Sequence, residues 1–261
     1  MSETSADVLQ VRYEGEIAVM TLNNPKRLNA FNWAMRTAMY ERLLEIEANE
    51  SCRAIVLTGA GGNFCAGGDI SEMKHREILE ARTRMDLPTR IFKLLVNGPK
   101  PFICAVEGNA AGAGVSFVAA SDYAVAARDA KFSCAFIKVG LMPDVGGIWS
   151  LPRKVGHRKA MELCAFGESI DAPEALRIQL INAVCDPGRA VEAALEAGAK
   201  FAGMPAVAMA LMRSALNTGN DTVDMAIATE VNFSSVLQNS ADFAEAASAF
   251  AEKRKPVFTG R

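Results

Sequence analysis

The sequence predicts an α/β protein in which strands and helices alternate and the strands pair in parallel. Short apolar runs that contain β-branched residues, such as residues 54–58 and 101–106, are typical of buried strands. Each of these runs ends in a glycine-rich loop that opens a further apolar segment. Half of the residues are hydrophobic and 22% are charged, as expected of a soluble globular chain.

The first elements follow from two apolar runs and one capping residue. Residues 8–13 and 16–22 are predicted to be strands joined by a turn at Gly15. Asn32 is predicted to cap an amphipathic helix, because apolar residues recur after it at helical spacing. These apolar residues are Met35, Met39, Leu43 and Ile46. Further strand–loop–helix units extend to about Gly147, and this order predicts right-handed crossovers between parallel strands.

The C-terminal part of the chain has a different composition. From about Asp171 it is rich in alanine and predicted to be helical, with breaks at residues 187–188, 203–205 and 218–220. We predict a core over residues 1–200 and a C-terminal helical region over residues 201–261. The final third is too apolar for a lone surface bundle, so we expect it to pack on the core or on other subunits.

Composition and charge exclude several classes of partner. The net charge of −2 provides no basic surface for nucleic acid. No apolar stretch is long enough to span a bilayer, and the polar, acidic residues 1–7 do not resemble a signal peptide. The six cysteines lack metal-ligand spacing, so we expect no metal site and a reducing, cytoplasmic location.

Two glycine-rich loops, residues 59–70 and 107–114, are the most informative feature of the sequence. A loop that runs from a strand into a helix leaves free backbone N–H groups at the start of that helix. Glycine and alanine at such a place let a ligand approach the main chain closely. Two such loops that converge would form a two-donor pocket for a developing oxyanion. The alternative is that both are ordinary βα connections, since neither completes a phosphate-binding motif.

Other residues near these loops have weaker functional support. Cys65 lies in the first loop, but no histidine partner is apparent and a packed position is favoured. Ser116 lacks the glycine that would complete a nucleophile elbow. Asp122 is predicted to have a structural role where a helix gives way to the next strand. A serine or cysteine hydrolase is therefore not favoured.

Four segments carry a resemblance to a known family: residues 23–32, 64–70, 111–114 and 250–258. Together they resemble the crotonase superfamily of enoyl-CoA hydratases and isomerases, in the same order and over essentially the whole chain. The resemblance implies a spiral of ββα units with a C-terminal helical trimerisation region, and trimers that pair into hexamers. It also implies an acyl-CoA thioester substrate, with no separate cofactor because CoA is part of the substrate.

The resemblance further implies where the substrate lies. The thioester oxygen would be bound between the backbone N–H groups of Gly68 and Ala113. Lys26 and Arg27 match a region that meets the CoA phosphates, and Lys255 would reach the CoA of a neighbouring subunit, although these cations also fit a solvated surface. The residues predicted to bind substrate are Lys26, Arg27, Ala66, Asp69, Ile70, Ser116, Phe136 and Lys255.

The sequence departs from the hydratase pattern at two positions. Family hydratases activate water with two glutamates, and the motifs place Ser116 and Phe136 at those positions. Neither side chain can serve as a carboxylate base. What remains is Asp144, in a stretch over residues 135–153 that resembles the isomerases of bacterial phenylacetate catabolism, where this aspartate is the acid/base. Alternatively, Asp144 caps the helix that begins near Ile148.

These features predict a cofactor-independent acyl-CoA isomerase. It would move a double bond in a linear 3-enoyl-CoA, or rearrange a ring-derived CoA ester, through a thioester enolate with Asp144 as acid/base. The alternatives are an enoyl-CoA hydratase with an unorthodox site, a dehalogenase-like nucleophilic role of Asp144, and a non-catalytic or RNA-binding relative. The identity of the acyl group is not predicted, because the width of the pocket depends on residues 73–99, whose course the sequence does not reveal.

Overall fold

The computed structural model describes residues 8–219 and 221–260, and these residues form two sheets flanked by helices. The strands are β1 (Leu9–Glu14), β2 (Ile17–Leu22), β3 (Ala54–Gly59), β4 (Phe102–Val106), β5 (Asn109–Ala111), β6 (Tyr123–Ala127), β7 (Lys131–Ser133), β8 (Ser169–Asp171) and β9 (Ala183–Cys185). The predictions made for residues 1–7 and for Asn220 lie outside the described residues.

Helices follow most of the strands. They are α1 (Trp33–Ala48), α2 (Ile78–Arg84), α3 (Asp86–Asn97), α4 (Ala113–Ala120), α5 (Gly147–Val155), α6 (His157–Phe166), α7 (Ala172–Arg177), α8 (Ala190–Ala202), α9 (Ala206–Asn217), α10 (Val223–Leu237) and α11 (Ala241–Ala251). Short 3₁₀ turns occur at Pro25–Arg27, Ile70–Glu72 and Ala135–Val139. The predicted helix breaks near residues 187–188, 203–205 and 218–219 all fall between these helices.

The larger sheet has the strand order β1-β2-β3-β4-β6-β9. β1 and β2 form an antiparallel hairpin at Gly15, and every other neighbouring pair in this sheet is parallel. The smaller sheet joins β5, β7 and β8, with β5 and β7 parallel. The predicted α/β class and the parallel pairing are confirmed.

Both faces of the central strands β2, β3, β4 and β6 are buried, as expected of a parallel sheet covered by helices. Successive residues of a strand point to opposite faces, so Ala18 and Met20 face one core cluster while Ile17 and Val19 face the other. The alanine-rich helix α8 covers the second face at close range. A Cβ atom on Gly198 would lie 3.0 Å from Cδ1 of Ile17.

The predicted start and buried face of α1 are confirmed. Asn32 occupies the N-cap, and its side-chain oxygen accepts a hydrogen bond of 2.9 Å from the backbone N–H of Met35. The four residues predicted to face the core are buried, with Met35 and Met39 fully so. Because the cap fixes the first turn of α1, it also fixes the direction of the loop that precedes it.

The C-terminal helices attach to the core through a buried ion pair. Arg213 of α9 is 4% exposed and donates a hydrogen bond of 2.8 Å from Nε to Oδ2 of Asp122. Asp122 Oδ2 also accepts from the backbone N–H of Phe102 at 2.7 Å, which gives Asp122 the structural role expected of it. α10, all of which the structure describes, has no buried residue. The domain boundary at residues 200/201 stays a prediction.

None of the helices in the described ranges is both long and apolar enough to cross a lipid bilayer.

Candidate active site

The two glycine-rich loops are joined to each other by backbone hydrogen bonds. The N–H of Cys65 donates to the carbonyl of Asn109 at 2.9 Å, and the N–H of Ala111 donates to the carbonyl of Cys65 at 2.8 Å. These bonds pair Cys65 with Ala110 as a parallel bridge. Gly68 and Ala113 each follow this bridge by three residues. The pairing therefore brings together the two amides that the sequence singles out.

The close approach of the loops requires glycine at two positions. Gly67 has a φ of +93°, and a Cβ atom on it would lie 3.0 Å from the carbonyl oxygen of Ala111. Gly112 has a φ of +49°, and a Cβ atom on it would lie 3.5 Å from Cα of Gly67. A side chain would strain the backbone at either position, and at Gly67 its Cβ atom would also press on the carbonyl oxygen of Ala111.

The amides of Gly68 and Ala113 are free to bind a ligand. Ala113 is the first residue of α4, so its N–H has no carbonyl one turn earlier in the helix. The Gly68 N–H donates no hydrogen bond to the described residues. Both residues line one cavity of about 380 Å³. Two amides without partners in the lining of one cavity are candidates for the two-donor oxyanion site, which stays a prediction.

Most of the predicted site residues share this cavity. Those that line it are Ala66, Gly68, Asp69, Ile70, Ala113, Phe136 and Asp144. Residues 73–99, whose course could not be predicted from the sequence, form another side of the cavity through α2 and the residues that flank it. Met73, Ala81 and Met85 contribute apolar surface there. The cavity thus has two free amides, one carboxylate beside Phe136, and an apolar wall.

Asp144 is half-buried and has an unusual environment. Its Oδ1 atom is fully buried and has no hydrogen-bond partner among the described residues. Burial raises the pKa of the Asp144 carboxyl, and the positive charge of Arg36 acts in the opposite direction. The residue that follows, Val145, has a φ of +48°, which is rare for a β-branched side chain.

The capping alternative for Asp144 is wrong. α5 begins at Gly147 and its N-cap is Gly146, and no side chain in the described residues caps it. Only the backbone carbonyl of Asp144 takes part, since it accepts a hydrogen bond of 2.8 Å from the N–H of Gly147. The side chain is therefore left for the cavity.

Asp69 orients the first loop, as the sequence indicates. It caps the 3₁₀ turn Ile70–Glu72, and its Oδ1 accepts a hydrogen bond of 2.9 Å from the N–H of Ser71. Nη1 of Arg27 donates to its two carboxylate oxygens at 3.0 and 2.9 Å. Burial alone would raise the pKa of Asp69, but the bonds from Ser71 and Arg27 hold it below its ordinary value.

Five charged residues in the wall were not predicted from the sequence: Lys74 and Arg76, and three that adjoin the start of α1. Glu72 accepts hydrogen bonds from the backbone N–H of Trp33 at 2.9 Å and from Nη2 of Arg84 at 3.2 Å. The guanidinium of Arg84 stacks over the Trp33 ring at 4.6 Å from its centroid. Arg36, the third, lies in the first turn of α1. Its only sequence signal is its place beside the buried Met35.

Four predicted substrate contacts lie outside this cavity, among them Arg27, which pairs with Asp69. Ser116 is buried beneath it, and a Cβ atom on Gly147 would lie 2.4 Å from its Oγ. Lys26 and Lys255 are exposed and line none of the cavity. Their contacts with substrate stay predictions. Cys65, by contrast, is fully buried, and burial raises the pKa of its thiol to about 12, which confirms the packed position.

Comparison with known proteins identifies the family. Residues 12–261 match the family described as enoyl-CoA hydratase/isomerase. The chain belongs to this family. It is 37% identical over 256 residues to the 1,2-epoxyphenylacetyl-CoA isomerase of Escherichia coli (strain K12), covering 95% of this chain and 97% of that protein. It is also 37% identical over 244 residues to the short-chain-enoyl-CoA hydratase of Clostridium acetobutylicum, covering 93% of this chain and 94% of that protein.

A solved structure agrees with this assignment. The crystal structure of an enoyl-CoA hydratase from Polaromonas sp. JS666 superposes with a TM-score of 0.91 at 33% identity, covering 96% of this chain and 99% of that one. The predicted crotonase fold is confirmed. Membership of the enoyl-CoA hydratase/isomerase family assigns the chain to acyl-CoA chemistry, in which a thioester is hydrated or isomerised.

Proposed function

We propose that this chain is an acyl-CoA isomerase that shifts unsaturation through a thioester enolate, with Asp144 as the acid/base. The observation that carries the proposal is the state of the carboxylates in the cavity. Of the three that line it within the described residues, only Asp144 has a buried oxygen without a hydrogen-bond partner. One available carboxylate is enough to move a proton, whereas the two-carboxylate activation of water used by family hydratases needs a second.

The other two carboxylates are engaged in structural bonds. Asp69 is held by Arg27 and Ser71, and Glu72 is held by Trp33 and Arg84. Freeing Asp69 would break the bonds that hold the end of the first loop, and freeing Glu72 would break its bonds to α1 and α2. At the positions of the hydratase glutamates stand Ser116 and Phe136, and neither is a base at neutral pH. These features favour isomerisation over hydration.

The proposed reaction proceeds in two proton transfers. Asp144 removes a proton from the acyl carbon next to the double bond or thioester, the C–H bond breaks, and the electron pair moves to the thioester oxygen. The N–H groups of Gly68 and Ala113 stabilise that oxyanion. The proton then returns from Asp144 to a different carbon of the same acyl group. A desolvated carboxyl with a raised pKa is suited to both steps.

The proposed reaction has two candidate substrate classes: a linear 3-enoyl-CoA and a ring-derived CoA ester of the epoxide or oxepin type. The similarity to the E. coli 1,2-epoxyphenylacetyl-CoA isomerase favours the second and a role in phenylacetate catabolism. The similarity to the C. acetobutylicum hydratase keeps hydration as the alternative to test.

The proposal includes an assembly, a homotrimer or a hexamer made of two trimers in the cytoplasm. α10 presents Val223, Ile227 and Val231 at intervals of four residues, on one face of the helix, and each is more than half exposed. A contiguous apolar stripe of this kind is typical of a protein interface. Lys255 would reach a neighbour's CoA only in such an assembly.

The test compares two rates in one preparation. We expect 3-enoyl-CoA to be converted to 2-enoyl-CoA much faster than crotonyl-CoA gains water. Asp144→Asn should lower isomerisation roughly 10²–10⁴-fold, the usual contribution of a positioned base. Acyl-CoA affinity should barely change, because the oxyanion donors are backbone groups.

A matched control is Asp129→Asn, at an exposed aspartate outside the cavity, which should leave both rates unchanged. Robust hydration of crotonyl-CoA would overturn the isomerase assignment. Well-folded Asp144→Asn protein with activity within a few fold of the original would exclude Asp144 as the base.

A further inference from the structure

Arg36 occupies the cavity wall together with Gly68 and Asp144. Its Nε donates a hydrogen bond of 3.1 Å to the carbonyl of Phe31, and its guanidinium lies over the Phe31 ring at 5.3 Å from the centroid. The Phe31 side chain is fully buried, so it forms a rigid base for the guanidinium. The protein thus fixes the Nε edge of the Arg36 guanidinium, which is its inner edge.

The outer edge of this guanidinium is unoccupied. Within residues 8–219 and 221–260, neither Nη atom of Arg36 donates a hydrogen bond, and Arg36 forms no direct ion pair. Nη2 lies 3.8 Å from the point where a Cβ atom on Gly68 would sit. The positive charge therefore lies beside one oxyanion donor and is open to the cavity.

The charges around Arg36 leave Asp144 as its electrostatic partner. Asp144, Glu72, Arg84 and the Cys65 thiol all influence Arg36. Glu72 and Arg84 are already paired with each other, and Cys65 is a neutral, buried thiol. For Asp144, Arg36 is the one charged side chain of the described residues that acts on its carboxyl.

We propose that Arg36 is a positioning residue that keeps Asp144 ionised and ready to accept the substrate proton. This inference rests on the proposed function of Asp144. Burial favours the neutral carboxylic acid, which is useless as a base, while a fixed cation in the same cavity favours the carboxylate. Arginine suits this role because its guanidinium stays charged when it is buried.

The position of Arg36 also suits the movement of negative charge from Asp144 to the thioester oxygen during the reaction. When the proton moves to Asp144, the negative charge leaves that carboxylate and appears on the thioester oxygen at the amide of Gly68. Both places belong to the cavity that Arg36 lines. The cation consequently has a negative partner before and after the transfer, and the buried charges need little rearrangement.

The pH dependence of kcat/KM tests this role. Arg36→Met removes the cation, so the pKa of Asp144 should rise and less of it should be ionised at a given pH. The acid limb of the profile should move to higher pH by about one unit, the smaller end of the effect of a neighbouring charge. At pH values below the acid limb, kcat/KM of Arg36→Met should be about tenfold lower than that of the original protein. This difference should shrink as the pH increases.

Three further variants support this test. Arg36→Lys keeps the charge and should leave the limb close to its original pH. Arg42→Met lies on the same helix but outside the cavity, where Arg42 pairs with Glu45, and it should leave the profile unchanged. Arg36→Gln is a second neutral variant with a donor for the Phe31 carbonyl, for use if Arg36→Met does not fold.

The outcomes separate this inference from the proposed function. A loss of activity by the same factor at every pH, or a rise in KM with an unmoved limb, would overturn the inference and assign Arg36 to structure or to substrate contact. If Asp144→Asn retains activity, the proposed function itself has failed, whatever the Arg36 variants do.

Discussion

The side-chain oxygen of Asn63 accepts hydrogen bonds from both nitrogens of Asn109, at 3.2 Å from the backbone N–H and 2.8 Å from Nδ2. Asn63 belongs to the first glycine-rich loop and Asn109 to the second. The backbone carbonyl of Asn63 also accepts from Nδ2 of the fully buried Asn29. One residue therefore fixes both loops and the segment that precedes α1.

Asn63→Ala should loosen this junction. Losing two hydrogen bonds should lower the free energy of unfolding by about 1–2 kcal/mol. Isomerisation should fall roughly ten- to hundredfold, because the two oxyanion donors would no longer be held at a fixed separation. Urea unfolding and steady-state kinetics measure the two effects. Asn239→Ala, at an exposed helix end, is the control; an unchanged kcat in Asn63→Ala would show that the junction does not set the donor geometry.

Ala113→Pro should remove one oxyanion donor without breaking the helix. Ala113 is the first residue of α4, a position where proline is tolerated because the N–H is unused by the helix. We expect kcat to fall about 10²–10³-fold, as for the loss of one oxyanion donor. Ala113→Gly keeps the donor and should stay within a few fold. Circular dichroism must show an intact fold, and a fully active proline variant would contradict the two-donor site.

Asp144→Asn should change how stability depends on pH. Burial raises the pKa of Asp144 above its ordinary value of 3.8, so the folded protein holds this proton up to a higher pH than the unfolded chain does. The stability that this group contributes is present below the unfolded pKa and is lost as the pH rises through the folded pKa. Asparagine is neutral at every pH and avoids that loss.

The difference in unfolding free energy between Asp144→Asn and the original protein should therefore grow in favour of the variant as the pH rises from the unfolded pKa of Asp144 through its higher folded pKa, and then level off. Urea denaturation of both proteins at matched pH values gives this difference, and the contributions of all other groups cancel. A variant that is less stable at pH 7 would mean that Asp144 makes favourable contacts that outweigh its desolvation.

Charges on the apolar stripe of α10 should disrupt the proposed assembly. Ile227→Asp combined with Val231→Asp would bury two carboxylates in an interface, which is strongly unfavourable. Sedimentation at micromolar concentration should show a trimer or hexamer for the original protein and a monomer for the variant. Asn232→Asp adds a charge on the same helix without removing apolar surface and should leave the mass unchanged. A stable monomer in the original protein would contradict the assembly.

Much of the fold could be predicted because its determinants are local. The turn at Gly15, the cap at Asn32 and the buried residues of α1 each depend on neighbours within one or two turns of chain. The two free amides were found for the same reason, since a strand, a glycine-rich loop and a helix start are consecutive in the sequence.

The cavity wall could not be predicted because its contacts join distant segments. Glu72 bonds to Trp33, 39 residues away, and its other partner, Arg84, stacks on the same tryptophan. Arg36 follows Met35 in a helix whose pattern indicates only where the core lies. The capping interpretation of Asp144 failed because Gly146 takes the N-cap, a choice set by backbone conformation that composition does not reveal.

Val145 has a consequence for how this site can change by mutation. Its left-handed backbone costs on the order of 1–3 kcal/mol, which glycine would relieve. Its side chain is 4% exposed, and its burial contributes about 1.5–3 kcal/mol, which glycine would forfeit. The relief of backbone strain and the loss of side-chain burial are similar in size. Valine and glycine at position 145 should therefore give proteins of similar stability. Selection at position 145 can then act on how firmly the residue there holds the Asp144 carboxylate in one orientation.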